Sequence, residues 1–157
     1  MGAVTTVGDF LDKLTALLKL RVGLAGVTIA SGWVDPGAEC CIIGIDPINA
    51  DGQYETMPRG RIREGYPVPC YIKASAPGSG EAAIKVARDR ALAIFEQVVD
   101  QITTSNSTTA TALSALGVED AVVSTWKVTQ TVEPIENGDR VTEIEFVITV
   151  STEFTPA

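Results

Sequence analysis

From residue 142 onward the even positions are Thr142, Ile144, Phe146, Ile148, Val150, Thr152 and Phe154, while the odd ones are mostly polar, Glu143, Glu145, Thr149, Ser151 and Glu153. A period of two is the signature of a strand with one buried and one wetted face. The segment before it repeats the pattern: Val122, Trp126, Val128 and Val132 are even and apolar, while Thr125, Lys127, Thr129, Thr131 and Glu133 are odd and polar. Between the two lies Glu136-Asn137-Gly138, a turn signal, so the pattern predicts a long carboxyl-terminal hairpin with strands over about 121–133 and 140–154. Its two apolar faces must coincide. A two-residue loop at Asn137-Gly138 would oppose even to odd positions, and a slip of one residue turns every side chain over. A three-residue loop with Gly138 in the left-handed region and a bulge beside it pairs Ile135 with Asp139, which sets Trp126 opposite Ile148 and Val128 opposite Phe146.

Helical spacing appears twice. Val7, Phe10, Leu11, Leu14, Leu17 and Leu18 form one stripe, predicting a helix over 7–20 opened by a capping box at Thr6 and Asp9. Ile84, Ala87, Ala91, Ile94, Phe95, Val98 and Ile102 form the second, predicting a helix over 81–102 capped by Ser79 and packed along the hairpin. Between the helices, Val27-Thr28-Ile29 opens a strand that Pro36-Gly37 turns into the apolar run 40–45, which reads as a hairpin whose second strand is covered on both faces. A further strand covers 66–74 with Val68, Cys70 and Ile72 inward, and Pro67 and Pro69 put its start at an edge or outside the pairing. Residues 46–65 and the Thr/Ser-rich stretch 103–118 read as polar loops.

The expected fold is therefore α+β: a mixed or antiparallel β-sheet with two helices packed on one face, in the order α-β-β-(loop)-β-α-β-β, as one domain over 1–157. Composition adds a core's worth of apolar residues (45%) and a net charge of −8. The imbalance is local, since residues 119–157 hold eight acids against Lys127 and Arg140. An acidic hairpin face disfavours sequence-specific DNA binding, and a solvated face is the simpler account of it. Neither an apolar stretch of membrane-spanning length nor a secretory signal is legible.

Candidate chemistry is sparse. The chain has no histidine, and its three cysteines, with Cys40 and Cys41 adjacent on opposite sides of a strand, read as buried small hydrophobes rather than disulfides or metal ligands. Ala76-Pro77-Gly78-Ser79-Gly80 lacks the lysine of a phosphate loop and the third glycine of a dinucleotide loop. No Gly-x-Ser-x-Gly elbow and no nucleophile–base pair is present, so no catalytic residue, metal ligand or cofactor is expected. What stands out is charge: Arg59, Arg61 and Arg63 alternate along a short extended piece, and read as a solvated loop, a contact to an acidic protein surface or a phosphate contact.

The element order, with Phe10-Leu11 to Leu18, Cys41-Ile42-Ile43-Gly44, the 84–102 helix and the Asn137-Gly138 hairpin, resembles the tail terminator proteins of long-tailed bacteriophages. The insertions at 46–65 and 103–109 depart from it. The resemblance implies a non-enzymatic virion protein, assembled in the host cytoplasm, that forms a homo-oligomeric ring, usually a hexamer, at the tail–neck junction. Its implied partners are the tail tube protein and a neck or head-completion protein, with DNA passing through unread and no membrane involved. On that expectation the subunit-interface candidates are Arg59, Arg61 and Arg63 against Glu143, Glu145 and Glu153. A different neck adaptor or stopper, and a ligand-binding or enzymatic α+β domain, remain the alternatives.

Overall fold

The computed structural model describes residues 5–32, 34–35, 37–45, 48, 51–56, 61–78, 80–107, 118–132 and 138–154. Over these the protein is α+β, with helices α1 (Val7–Lys19) and α2 (Glu81–Ser107) and strands β1 (Thr28–Ser31), β2 (Glu39–Ile43), β3 (Asp51–Thr56), β4 (Arg61–Ala76), β5 (Val118–Val132) and β6 (Arg140–Phe154). The strands form one mixed sheet in the order β1-β2-β4-β6-β5, with β3 pairing β4 off that path. Phe10, Leu14 and Leu18 of α1 and Ala91, Ile94, Val98 and Ile102 of α2 share one core with the even residues 66–74 of β4 and 144–150 of β6. Both helices thus cover the same face, as their stripes require.

The central ladder joins β4 to β6 without interruption, from Ile62 opposite Phe154 to Ala76 opposite Arg140. An unbroken antiparallel register keeps parity, so Val68, Cys70 and Ile72 meet Ile148, Phe146 and Ile144 on the helix side. The expectation that Pro67 and Pro69 lie at an edge holds on one side only. Both are paired with β6, but toward the other neighbours they fall between the β3 ladder, which ends at Gly65, and the β2 ladder, which ends at Cys70. The Pro69 carbonyl accepts from the N–H groups of Gly44 and Ile45, both at 2.9 Å, while its nitrogen can return nothing, and the β2 ladder stops there.

Several expectations are corrected. Strands β1 and β2 are parallel, not a hairpin, with Thr28 opposite Cys40 and Ser31 opposite Ile43. The return is possible without a helix because β1 is only four residues long, about 13 Å at roughly 3.3 Å per residue. Gly32 and Gly37 turn the connection at positive φ (84° and 61°). The stretch read as a loop over 46–65 holds β3 and the first residues of β4, paired from Asp51 opposite Gly65 to Thr56 opposite Arg61. Helix α2 continues through 103–107, because propagating an established helix is far easier than nucleating one and Ile102 is still in the core. The expected Ser79 cap and residues 108–117 of the predicted Thr/Ser-rich loop fall outside the described residues.

The hairpin β5–β6 is present, but its register differs by two from the expected one: Trp126 faces Phe146 and Val128 faces Ile144. Parity survives a shift of two, so core-side matching alone could not distinguish the two registers. The turn at 133–137 lies outside the described residues. Bulges sit instead within β5, between Val118 and Asp120 and between Val123 and Thr125. The extra residue Ser124 switches parity, so Ala121 and Val123 share the helix side with Trp126, and Val122 turns to the other face.

The start of α1 is held otherwise than by the expected capping box. The Thr6 side chain makes no cap bond to the helix. Its hydroxyl and its N–H both donate to Glu64 Oε1 at 2.9 Å, the Thr5 hydroxyl donates to Glu64 Oε2, and Tyr66 Oη lies 3.0 Å from Thr6 Oγ1. Glu64, 3% exposed, is an even residue of β4 and therefore points inward, against the amino end of α1 where a helix favours negative charge. Replacing Glu64 by alanine strands these donors and is expected to lower unfolding free energy by about 2 kcal/mol, read by urea denaturation.

All three cysteines are free and buried. Burial pushes the Cys70 thiol up to about 12 and Cys41 well above the ordinary range, and it also raises Cys40. Burial, with Glu64 and Asp9 nearby, pushes Tyr66 up to about 12 against the lowering effect of its Thr6 bond. Thiols and phenols whose folded values are raised ionise first in the unfolded chain, so their contribution to stability is complete below about pH 9 and is lost as pH rises toward 12. The melting temperature is expected to fall over that window. At pH 8, iodoacetamide should leave all three thiols of the native chain unmodified and alkylate three in urea, as counted by intact mass.

Candidate subunit interface

The face of the sheet away from the helices carries the odd residues of β4 and β6. There the register sets Lys73 opposite Glu143, Tyr71 opposite Glu145 and Arg63 opposite Glu153, and on the other side of β6 it sets Lys127 of β5 opposite Glu145. Arg63 Nη2 lies 3.7 Å from Glu153 Oε2. Burial raises the Tyr71 hydroxyl above its ordinary range, and the neighbouring Glu143 carboxylate raises it further. Of the six sequence candidates, Glu143, Glu145, Glu153 and Arg63 stand on this face. Arg61 opens β4 opposite Thr56, and Arg59 lies outside the described residues.

Each of the three acids therefore has a basic cross-strand neighbour, an arrangement that favours the sheet. The expected acidic face is a chequered one. A charge sum over 119–157 misses this because the compensating Lys73 and Arg63 belong to β4, which is remote in sequence and adjacent in the sheet. Pro69, Tyr71, Thr125, Lys127, Glu145 and Val147 line a shallow hollow of about 520 Å³ on this side. Among the described residues no group of three or more Cys, Asp or Glu could hold a metal ion. No helix among them is long and apolar enough to cross a membrane.

The helix side holds the larger surprise. Trp126, Val128 and Val132, expected in the core, lie on the core side of the sheet yet are 61%, 43% and 50% exposed. The cause is the path of α2, which crosses the sheet diagonally. Its carboxyl end, with Val99 and Ile102, lies by Ala121–Val123, Phe95 meets the Trp126 ring at 6.1 Å, and Ala83 and Ala87 pack on Ala76 of β4. Among the described residues no helix covers the corner of the sheet at Val128 and Val132. These residues also line the free side of β5, the outermost strand on this edge of the sheet. Phe146, directly opposite Trp126, is by contrast buried and stacks at a tilt on Phe95 at 5.1 Å.

Sequence reasoning found Trp126 but assigned it to the core, and it passed over Leu20, Val22 and Glu64. Glu64 could have been found from its inward parity in β4. A pair of truncations separates core from surface: Phe146→Ala should cost about 3–5 kcal/mol, whereas Trp126→Ala should cost about 1 kcal/mol, the worth of one aromatic contact, both read from denaturant midpoints. No family model and no curated protein matches this chain, so its function has to be read from these surfaces.

Proposed function

We propose that the chain is one subunit of a closed ring that caps the tail tube of a long-tailed bacteriophage, ends tube polymerisation and offers the neck a joining surface. The observation that carries this reading is the uncovered apolar edge at Trp126, Val128 and Val132. Large apolar side chains left exposed together on an edge strand mark an association surface, since a monomer gains nothing by wetting them. The chequered face gives the second element of such a subunit. Alternating charges across three strands contribute little to the fold by themselves, but they fix the register of a partner carrying the opposite order. On this reading that face, with Arg63, Lys73, Lys127, Glu143, Glu145 and Glu153, meets the tube or the neck, and the apolar edge joins subunit to subunit.

Neck adaptors and stoppers would use the same two surfaces, and the tube decides between them. The chain added to purified tail tubes should appear by negative stain as a cap at one end and should halt further addition of tube protein. Binding only to head-side neck complexes would identify an adaptor or stopper instead. Reversal of Glu143, Glu145 and Glu153 to lysine should abolish capping while leaving the circular dichroism spectrum unchanged, and capping that survives the triple reversal would remove the chequered face from the contact.

A further inference from the structure

Among the described residues, two exposed apolar surfaces lie on opposite flanks of α2. On one flank the segment leaving α1 is tied down across the helix. Arg21 Nε donates to Gln97 at 2.8 Å, Arg21 Nη1 donates to Gln101 at 3.0 Å, and Arg21 Nη2 lies 3.9 Å from Asp100. Leu24, two residues past Val22, is anchored in the core. Leu18 anchors the other end in the same core. Between Leu18 and Leu24, on either side of Arg21, Leu20 and Val22 point away from the molecule, 81% and 92% exposed. A turn pinned on both sides that displays two aliphatic side chains is a preorganised knob, since little further ordering is required when it binds.

On the other flank, Phe95, Val99 and Ile102 of α2 and Ala121, Val123 and Trp126 of β5 line a groove of about 340 Å³. At about 100° per residue, Phe95, Val99 and Ile102 fall on the side of the helix opposite Gln97 and Asp100. The knob therefore cannot reach the groove of its own chain. The rims of the two surfaces differ in charge. Residues 13–34 hold Lys13, Lys19 and Arg21 and no acid, although Arg21 is already paired with Asp100 on the knob's own flank, whereas beside the groove stand Glu96 and Asp120. Lys19 beside the knob, and Glu96 and Asp120 beside the groove, are all exposed.

We propose that the Leu20–Val22 turn of one copy seats in the Trp126 groove of the next copy, with Lys19 against the acidic rim. This deepens, and rests on, the ring reading above. The occupant is a second copy of this chain because the convex and concave surfaces belong to one molecule and match in apolar character, and because exposed Lys19 beside the one complements exposed Glu96 and Asp120 beside the other. The two patches differ, so the contact is heterologous, and repeating it leads to a closed ring or an open filament according to the angle.

The test uses two variants of the full chain, a knob variant with Leu20→Asp and Val22→Asp and a groove variant with Trp126→Asp. Masses are read by size-exclusion chromatography with light scattering. Thr103→Trp, which fills the groove from an exposed position, serves as a second groove variant, and circular dichroism verifies that each is folded. The unaltered chain should be oligomeric and each variant alone should run at the 16.5 kDa of one chain. A mixture of knob and groove variants should yield a species of twice that mass and nothing larger, because each retains one half of the contact. Rings that persist in every variant would overturn the inference and leave the ring reading intact. A mixture that stays monomeric would also overturn it. An unaltered chain that is monomeric at every concentration would overturn it as well, and the tube-capping assay then decides the ring reading independently.

Discussion

The structure depends on the ladder between β4 and β6. It pairs fifteen consecutive positions without a bulge, and no other ladder in the sheet is both as long and as regular. Because parity is conserved along it, a single face collects Val68, Cys70, Ile72, Ile144, Phe146 and Ile148, and this gives both helices a continuous apolar floor. The neighbouring strands have individual irregularities, but each is referred to that central pair. Strand β2 adds to it for five positions until Pro69 stops it, and β5 adds to its other side with two extra residues inserted.

The same ladder places the two surfaces on which the functional reading rests. Its odd residues bring Lys73 and Arg63 of β4 beside Glu143 and Glu153 of β6, and so the net negative charge of the carboxyl-terminal segment becomes an alternating pattern. Its even residues are covered by α1 and α2, but a helix laid diagonally over a twisted sheet cannot reach every corner. The uncovered corner falls on β5, where Trp126 and the two valines stand beside buried neighbours. Incomplete cover, rather than excess apolar composition, creates the exposed edge.

How much of this was legible in the sequence follows the range of the interactions involved. Helix α1, helix α2 and the two long strands were readable because their stripes and alternation are local, and so was the burial of Cys41 and Cys70. The parallel β1–β2 pair was not, since Pro36-Gly37 marks a reversal of the chain and says nothing about whether the returning strand lies antiparallel or comes back to start level with the first. The register of the β5–β6 hairpin escaped because shifts of two preserve every face, and the bulge at Ser124 escaped because alternation from Val122 to Val132 looks intact by composition even though Val122 faces the other way. On the surface, the acids were found from their alternation and their partners were missed, because Lys73 and Arg63 join them only through pairing at long sequence separation. Trp126 was recognised as apolar and misplaced, because cover by a helix is a tertiary property.

Pro67 and Pro69 have one further consequence, for how the sheet tolerates change. Among the described residues, the backbone bonds that reach β4 between Gly65 and Cys70 from the β2–β3 side end on the Pro69 carbonyl, so the sheet forks there into two branches that share β4. A slip or an insertion in the β3 branch is not transmitted to β2, because no ladder runs through the gap to carry it. Strand β3 itself is thereby separated from β2, although the part of β4 that it pairs with, 61–65, stays tied to β6 and, through Glu64, to the start of α1. A change of length within β3 alone leaves the register of the floor beneath the helices as it is.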